Sequence, residues 1–97
     1  MNTETISKIL NKASQLTGLD PDCITAANRK PSVVPIRDAV FLTLHKKGWP
    51  SARIAAYFQG RQGIKNVSSI WTGIERSKKR IETDPEYEKL FNKLHFE

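Results

Sequence analysis

An all-α domain of about five or six helices is predicted by two features of this chain. Apolar residues recur at three-and-four spacing in segment after segment, and cap-and-proline or glycine punctuation separates those segments. No stretch alternates as a half-buried strand would. The 97 residues suit one domain with one modest core, and 38% apolar against 27% charged content is enough to pack and too apolar for a disordered tail.

Ile6, Ile9, Leu10, Ala13 and Leu16 share one helical face between a Thr3 or Thr5 start and the stop at Gly18, which predicts a first helix over about Thr5 to Thr17. Asp20 as cap and Pro21 as first helical residue predict a short second helix. Pro31 and Pro35 push the residues before them toward extended backbone, so Ala26 to Val34 reads as a basic loop. A third helix opens at Pro35, presents Ile36, Ala39, Val40, Thr43 and Leu44, and ends at Gly48. Pro50 opens a fourth, with Ile54, Ala55 and Phe58 as a small apolar face. Gln59 to Lys65 reads as a turn. Asn66 then caps a fifth helix whose Val67, Ile70, Trp71, Ile74 and Ile81 are expected to face the core. Thr83, Asp84 and Pro85 repeat the cap-then-proline start, and Tyr87, Leu90, Phe91 and Leu94 line a closing helix.

The charge is unevenly placed. The net is +6, yet Arg29 to Arg80 holds twelve bases against Asp38 and Glu75 alone, a net of +10, while the two ends carry −4. Nucleic acid is the commonest partner of such a polarised field, and a solvated surface is the ordinary alternative. Other classes are poorly served. No apolar run approaches the roughly 20 residues that span a bilayer, and the N-terminus lacks a signal-peptide pattern. Cys23 is the single cysteine, so a reducing, cytoplasmic setting is expected, with Cys23 a small buried hydrophobe. His45 and His95 stand far apart, leaving no metal-ligand spacing, no cofactor motif and no catalytic constellation; an enzyme is the least favoured class.

Two short helices around a tight turn, Pro50 to Phe58 and Asn66 to Ile81, have the layout of a helix-turn-helix whose second helix meets base edges with its N-terminal residues. Asn66 can hydrogen-bond to bases, Val67 can touch a thymine methyl, and Ser68 and Ser69 are short enough for close backbone approach. The same residues also suit any helix start. Lys47 and Arg53 are expected at phosphates.

The chain resembles a known family over most of its length: the C-terminal DNA-binding domain of the bacterial replication initiator DnaA. The likeness runs through ISKILNKASQLTGLDPDCI, NRKPSVVPIRDAVFLTL, ARIAAYFQGR and RIETDPEYEKLFNKL. The family's segment I-G-x-x-F-G-x-R-D-H-[ST]-T-V is matched in its first half by Ile54, Ala55, Phe58, Gly60 and Arg61. Gln62 to Lys65 are then inserted, and Asn66, Val67, Ser68, Ser69 and Ile70 stand for the second half, with Val67 in place of the motif's histidine. The resemblance implies a Trp-repressor-type helix-turn-helix that binds double-stranded DNA in the major groove while a basic loop reaches the minor groove. Arg29 and Lys30 would lie in that loop, Arg37 at a phosphate or base, Arg61 beside the turn, and Asn66 to Ser69 at the reading end. Lys65 with Arg61 brackets the insertion with charge, so an added DNA contact is expected there.

No GxxxxGK[ST] phosphate loop is present, so the initiator's ATPase module has no counterpart in these residues. The expectation is a stand-alone binder of phage or mobile-element type, or else an excised domain, acting at initiator sites or in transcription control. An adaptor that binds replication proteins is the alternative. RNA binding fits the charge but lacks aromatic platforms: Trp49 and Trp71 are expected in the core or at its edge, with Phe41, Tyr57 and Phe58. Arg76, Lys78, Lys79 and Arg80 form either a solvated helix end or a reach to flanking phosphate.

Overall fold

The computed structural model describes residues 3–25, 31–59 and 67–96. Six helices follow one another: α1 (Thr3–Thr17), α2 (Pro21–Thr25), α3 (Val34–Lys46), α4 (Ser51–Gln59), α5 (Val67–Thr83) and α6 (Pro85–Phe96). The all-α reading holds, and no strand occurs among the described residues.

The local punctuation acts as chemistry requires. Asp20 caps α2, its Oδ1 accepting the Asp22 N–H at 2.8 Å ahead of Pro21. Asp84 does the same for α6, accepting the Glu86 and Tyr87 N–H groups at 3.1 and 3.2 Å around Pro85. Gly18 ends α1 and Gly48 ends α3 at φ of 77° and 97°, a region L side chains rarely enter. At Gly48 the stop is a Schellman motif: the Trp49 N–H donates to the Leu44 carbonyl and the Gly48 N–H to that of His45, both at 3.0 Å. The motif turns Trp49 inward, where it is 2% exposed.

Helix α3 is the hub. It touches each of the other five helices, and all of Ile36 to Leu44 is buried. The periodic reading assigned it a single stripe; a helix surrounded by neighbours buries every side, polar residues included. Its main partner is α5, antiparallel to it, with Asp38 opposite Gly73 and Arg76. Gly73 is required by closeness rather than by conformation: a Cβ there would lie 2.7 Å from Asp38 Oδ1 and 2.8 Å from a Phe41 ring carbon. α6 returns along α5 and parallel to α3, its first turn beside Pro35 and its last beside Lys47. Ile6, Ile9, Leu10 and Ala13 of α1 and Ile24 of α2 complete the same core.

A polar seam ties three of these helices together. Tyr87 Oη donates to the Pro35 carbonyl at 2.7 Å. A phenol has one proton, so the 2.8 Å contact with Ser77 must run from the serine hydroxyl to the tyrosine oxygen. Burial, partly offset by Ser77, pushes the Tyr87 hydroxyl up to about 12.

Two expectations of burial fail. Cys23 is exposed rather than a small core residue. The residue before Ile24 falls on the solvent side of a helix too short to bury both. Trp71 is 40% exposed, the one large hydrophobic so exposed among the described residues. Ile70, Gly73, Ile74 and Ser77 form the buried stripe of α5, and at roughly 100° per residue Trp71 stands off its edge.

Candidate nucleic-acid interface

Helices α4 and α5 pack against each other, the pair expected as a helix-turn-helix. The connecting residues, with Arg61, Lys65, Asn66 and the insertion Gln62 to Lys65, lie outside the described residues, as do Arg29 and Lys30 of the basic loop. Val67 and Ser69 are placed in the first turn of α5 by their backbone only. Ser68 is exposed there, as a reading residue must be.

Arg37 corrects the sequence reading. Expected at a phosphate or base, it is 6% exposed, and its Nε donates to the Ile24 carbonyl at 2.8 Å. That carbonyl stands at the end of α2, where carbonyls lack intrahelical partners, so Arg37 closes a short helix from within the core. Burial lowers its pKa from the ordinary arginine value, with neighbouring Asp38 opposing the shift.

Asp38 is 3% exposed and accepts two bonds from Arg76, Nε to Oδ2 at 2.9 Å and Nη2 to Oδ1 at 3.1 Å. Burial raises the pKa of its carboxyl, against the opposing pull of Arg76; the same contact raises the pKa of Arg76. The bidentate grip fixes the plane of the Arg76 guanidinium while its side chain stays 55% exposed. Sequence reasoning counted Arg76 as surface charge. The signal that could have found the pair is Asp38 itself, the lone acid between Arg29 and Lys65, placed directly before the run AVFLTL.

The remaining described cations are exposed, apart from half-buried Lys12. Lys46 and Lys47 are exposed at the end of α3, and Lys47 Nζ lies 3.4 Å from the His95 carbonyl near the end of α6. His95 stacks on Phe91 at 5.5 Å between centroids; desolvation first, then Lys47 and Lys46, lower its pKa. Arg53, exposed on α4, places its guanidinium 4.8 Å from the centroid of the Trp49 ring. Lys78, Lys79 and Arg80 are exposed farther along α5, with Arg80 5.6 Å from the Tyr87 ring centroid.

Among the described residues, these placements leave one end of α3 basic and the other of mixed charge. Exposed Lys46, Lys47 and Arg53 gather at its C-terminal end. Asp20 and Asp22 of α2 and Glu86 and Glu88 of α6 lie toward its N-terminal end, where Ile24 meets Arg37 and Tyr87 meets Pro35, and exposed Lys78, Lys79 and Arg80 of α5 lie at that end as well. Trp71 belongs to the basic end, since His45 in the last turn of α3 meets it edge-on at 5.0 Å and 71°. Trp71, Thr72, Glu75, Arg76 and Lys79 line a shallow, open groove of about 390 Å³ on α5. Among the described residues no cluster of His, Cys, Asp and Glu is placed to hold a metal ion, and no helix is long and apolar enough to cross a membrane. Comparison of the chain with protein-family models, with curated proteins and with solved structures finds no match in any of the three.

Proposed function

We propose that this chain is a sequence-selective binder of double-stranded DNA that docks through the α4–α5 pair and the adjoining end of α3. The observation that carries the reading is the cluster of exposed Lys46, Lys47 and Arg53 at the end of α3 that adjoins α4 and Trp71 of α5, together with exposed Arg76, Lys78, Lys79 and Arg80 farther along α5. A polyanion is attracted to these cations with the outer face of α5 toward the duplex. Ser68 and Thr72 are exposed on that face and are short polar residues of the kind that read base edges from a helix in the major groove. Arg29, Lys30, Arg61, Lys65 and Asn66 add to this reading by their place in the sequence. The resemblance to the initiator domain extends it to a role in DNA replication, its regulation or transcription control, in the cytoplasm.

Selection of duplexes from a random-sequence pool tests the proposal. Enrichment of a common motif, resisting competition by unrelated duplex and by single strands, is the expected result. A pool that stays random, with binding no tighter to duplex than to any polyanion, refutes it.

A further inference from the structure

The outer face of α5 carries a feature that phosphate attraction does not explain. Trp71 is a large indole left 40% exposed on a helix whose other exposed side chains, among the described residues, are polar or charged. It is not loose: His45 holds it edge-on at 5.0 Å, so its ring is partly oriented before any ligand arrives. Around it lie groups of a kind that suits a nucleic acid. Thr72 commits its hydroxyl proton to the Ser68 carbonyl at 2.9 Å, which leaves a methyl group and an acceptor to offer. Arg76 is gripped by Asp38 along one edge and keeps other N–H groups in reach of solvent. Lys79 follows one turn on. The acid in the groove, Glu75, lies 3.7 Å from Lys78 Nζ, which offsets its charge.

We propose that Trp71 is a specificity-determining residue of the DNA interface: its indole packs against a thymine methyl group in the major groove, while Arg76 and Lys79 meet the phosphates beside it. The inference rests on the duplex-binding reading and adds to it the base recognised. A protein partner would also value an exposed indole, but charge complementarity favours the polyanion. The groove continues into Arg76 and Lys79, and His45 beneath the indole leads directly into exposed Lys46 and Lys47. Among base edges in the major groove, the thymine methyl is the apolar element an indole can bury against.

The test uses the full chain and the duplex recovered by selection. Each thymine is replaced in turn by deoxyuridine, which removes the methyl and leaves base pairing intact. For the parent, one or two positions should weaken binding by about fourfold, the size expected for one buried methyl. Trp71→Ala should bind less tightly and be indifferent to uracil at those positions, whereas Trp71→Phe should regain part of the sensitivity. Trp71→Ala that selects the parent's motif and keeps the parent's uracil profile overturns the proposal, while the duplex reading survives. A parent that selects no duplex overturns both. Acrylamide quenching of the unmodified protein needs no substitution. Trp49 is buried, so the quenchable emission reports Trp71 and should become protected on saturation with the selected duplex. Unchanged quenching sinks the contact.

Discussion

Replacing Gly73 by Ala sets two physical effects against each other with opposite signs. In the middle of an exposed helix alanine is better than glycine by about 1 kcal/mol. Gly73 is in the middle of α5, but it faces α3, and the added Cβ would lie 2.7 Å from Asp38 Oδ1, 2.8 Å from Phe41 Cδ2 and 3.2 Å from Phe41 Cε2. Neither neighbour yields easily. Phe41 is 1% exposed at the centre of the core, and the Asp38 carboxylate is held by Arg76 at 2.9 and 3.1 Å. Overpacking of this kind costs about 1–3 kcal/mol, and weakening a charge-assisted hydrogen bond adds about 1.5–3 kcal/mol. After the propensity gain, a net loss of roughly 1.5–5 kcal/mol remains, which lowers Tm by about 6 °C or more in a domain of this size. Thermal and urea unfolding followed by circular dichroism measure it. Shortening Asp38 to Ala in the Gly73→Ala background should recover part of the loss, a coupling that a double-mutant cycle isolates. A Gly73→Ala protein as stable as the parent, or more so, would refute the close approach of α3 and α5 and with it the placement of Arg76.

Tyr87 predicts an alkaline limit. Its hydroxyl is pushed up to about 12 from the usual 10.0, so folding favours the neutral phenol; that stability is intact below pH 10 and lost as pH rises toward 12, at up to about 1.4 kcal/mol per pH unit. Urea midpoints measured across that window should fall for the parent, with this slope reduced for Tyr87→Phe. Arg37→Ala should cost about 2–4 kcal/mol of stability, because it strips the Ile24 carbonyl and removes a cation beside buried Asp38. The folded fraction should retain the parent's DNA preference; lost affinity with unchanged unfolding would place Arg37 at DNA after all. Affinity should fall with salt at a log–log slope of about −4 to −5 if roughly five phosphates are met. Lys47→Ala and Arg53→Ala should each weaken all duplexes alike without changing the preferred motif. Arg29→Ala with Lys30→Ala should melt like the parent and lose most affinity on A·T-rich flanks, where a narrow minor groove concentrates negative potential; equal loss on every flank would make them plain phosphate contacts.

What could be read from the sequence was what is decided locally. The Asp20–Pro21 and Asp84–Pro85 starts and the Gly18 and Gly48 stops are settled within a turn of chain, and the helices begin and end within a residue or two of where these signals put them. The errors concern direction. Arg37 and Asp38 look like the solvent side of an amphipathic helix. Whether a charge is buried depends on what the rest of the chain places over it, here Ile24 from thirteen residues before Arg37 and Arg76 from thirty-eight after Asp38. The charge count took two members of the segment for free surface charges that are not: Arg37 is internal, and Arg76 is half committed to Asp38. Trp71 failed for a different reason. Adjacent residues Ile70 and Trp71 fit the same loose apolar stripe, and only the close contact at Gly73 fixes which of them the stripe is centred on.

These contacts also decide how the domain can vary. Asp38 with Arg76, Phe41 against Gly73, and Ser77 with Tyr87 all grip α5 from its inner side, and two of the three run directly to α3. A helix anchored along its length presents its outer residues in fixed positions, which lowers the ordering cost of any partner that docks there. Ser68, Thr72 and Lys79 have no part in that anchoring and Trp71 meets α3 only at its edge through His45, so substitutions among them should change what is bound more than they change folding. Gly73, Ile74 and Ser77, one helical face away, should behave in the opposite way. Arg76 belongs to both sets: its inner edge holds α3 and its outer edge faces the groove. A change at Arg76 should therefore move stability and binding together, and Arg76→Lys, which keeps the charge but loses the bidentate grip, should weaken the anchoring more than it weakens attraction to phosphate.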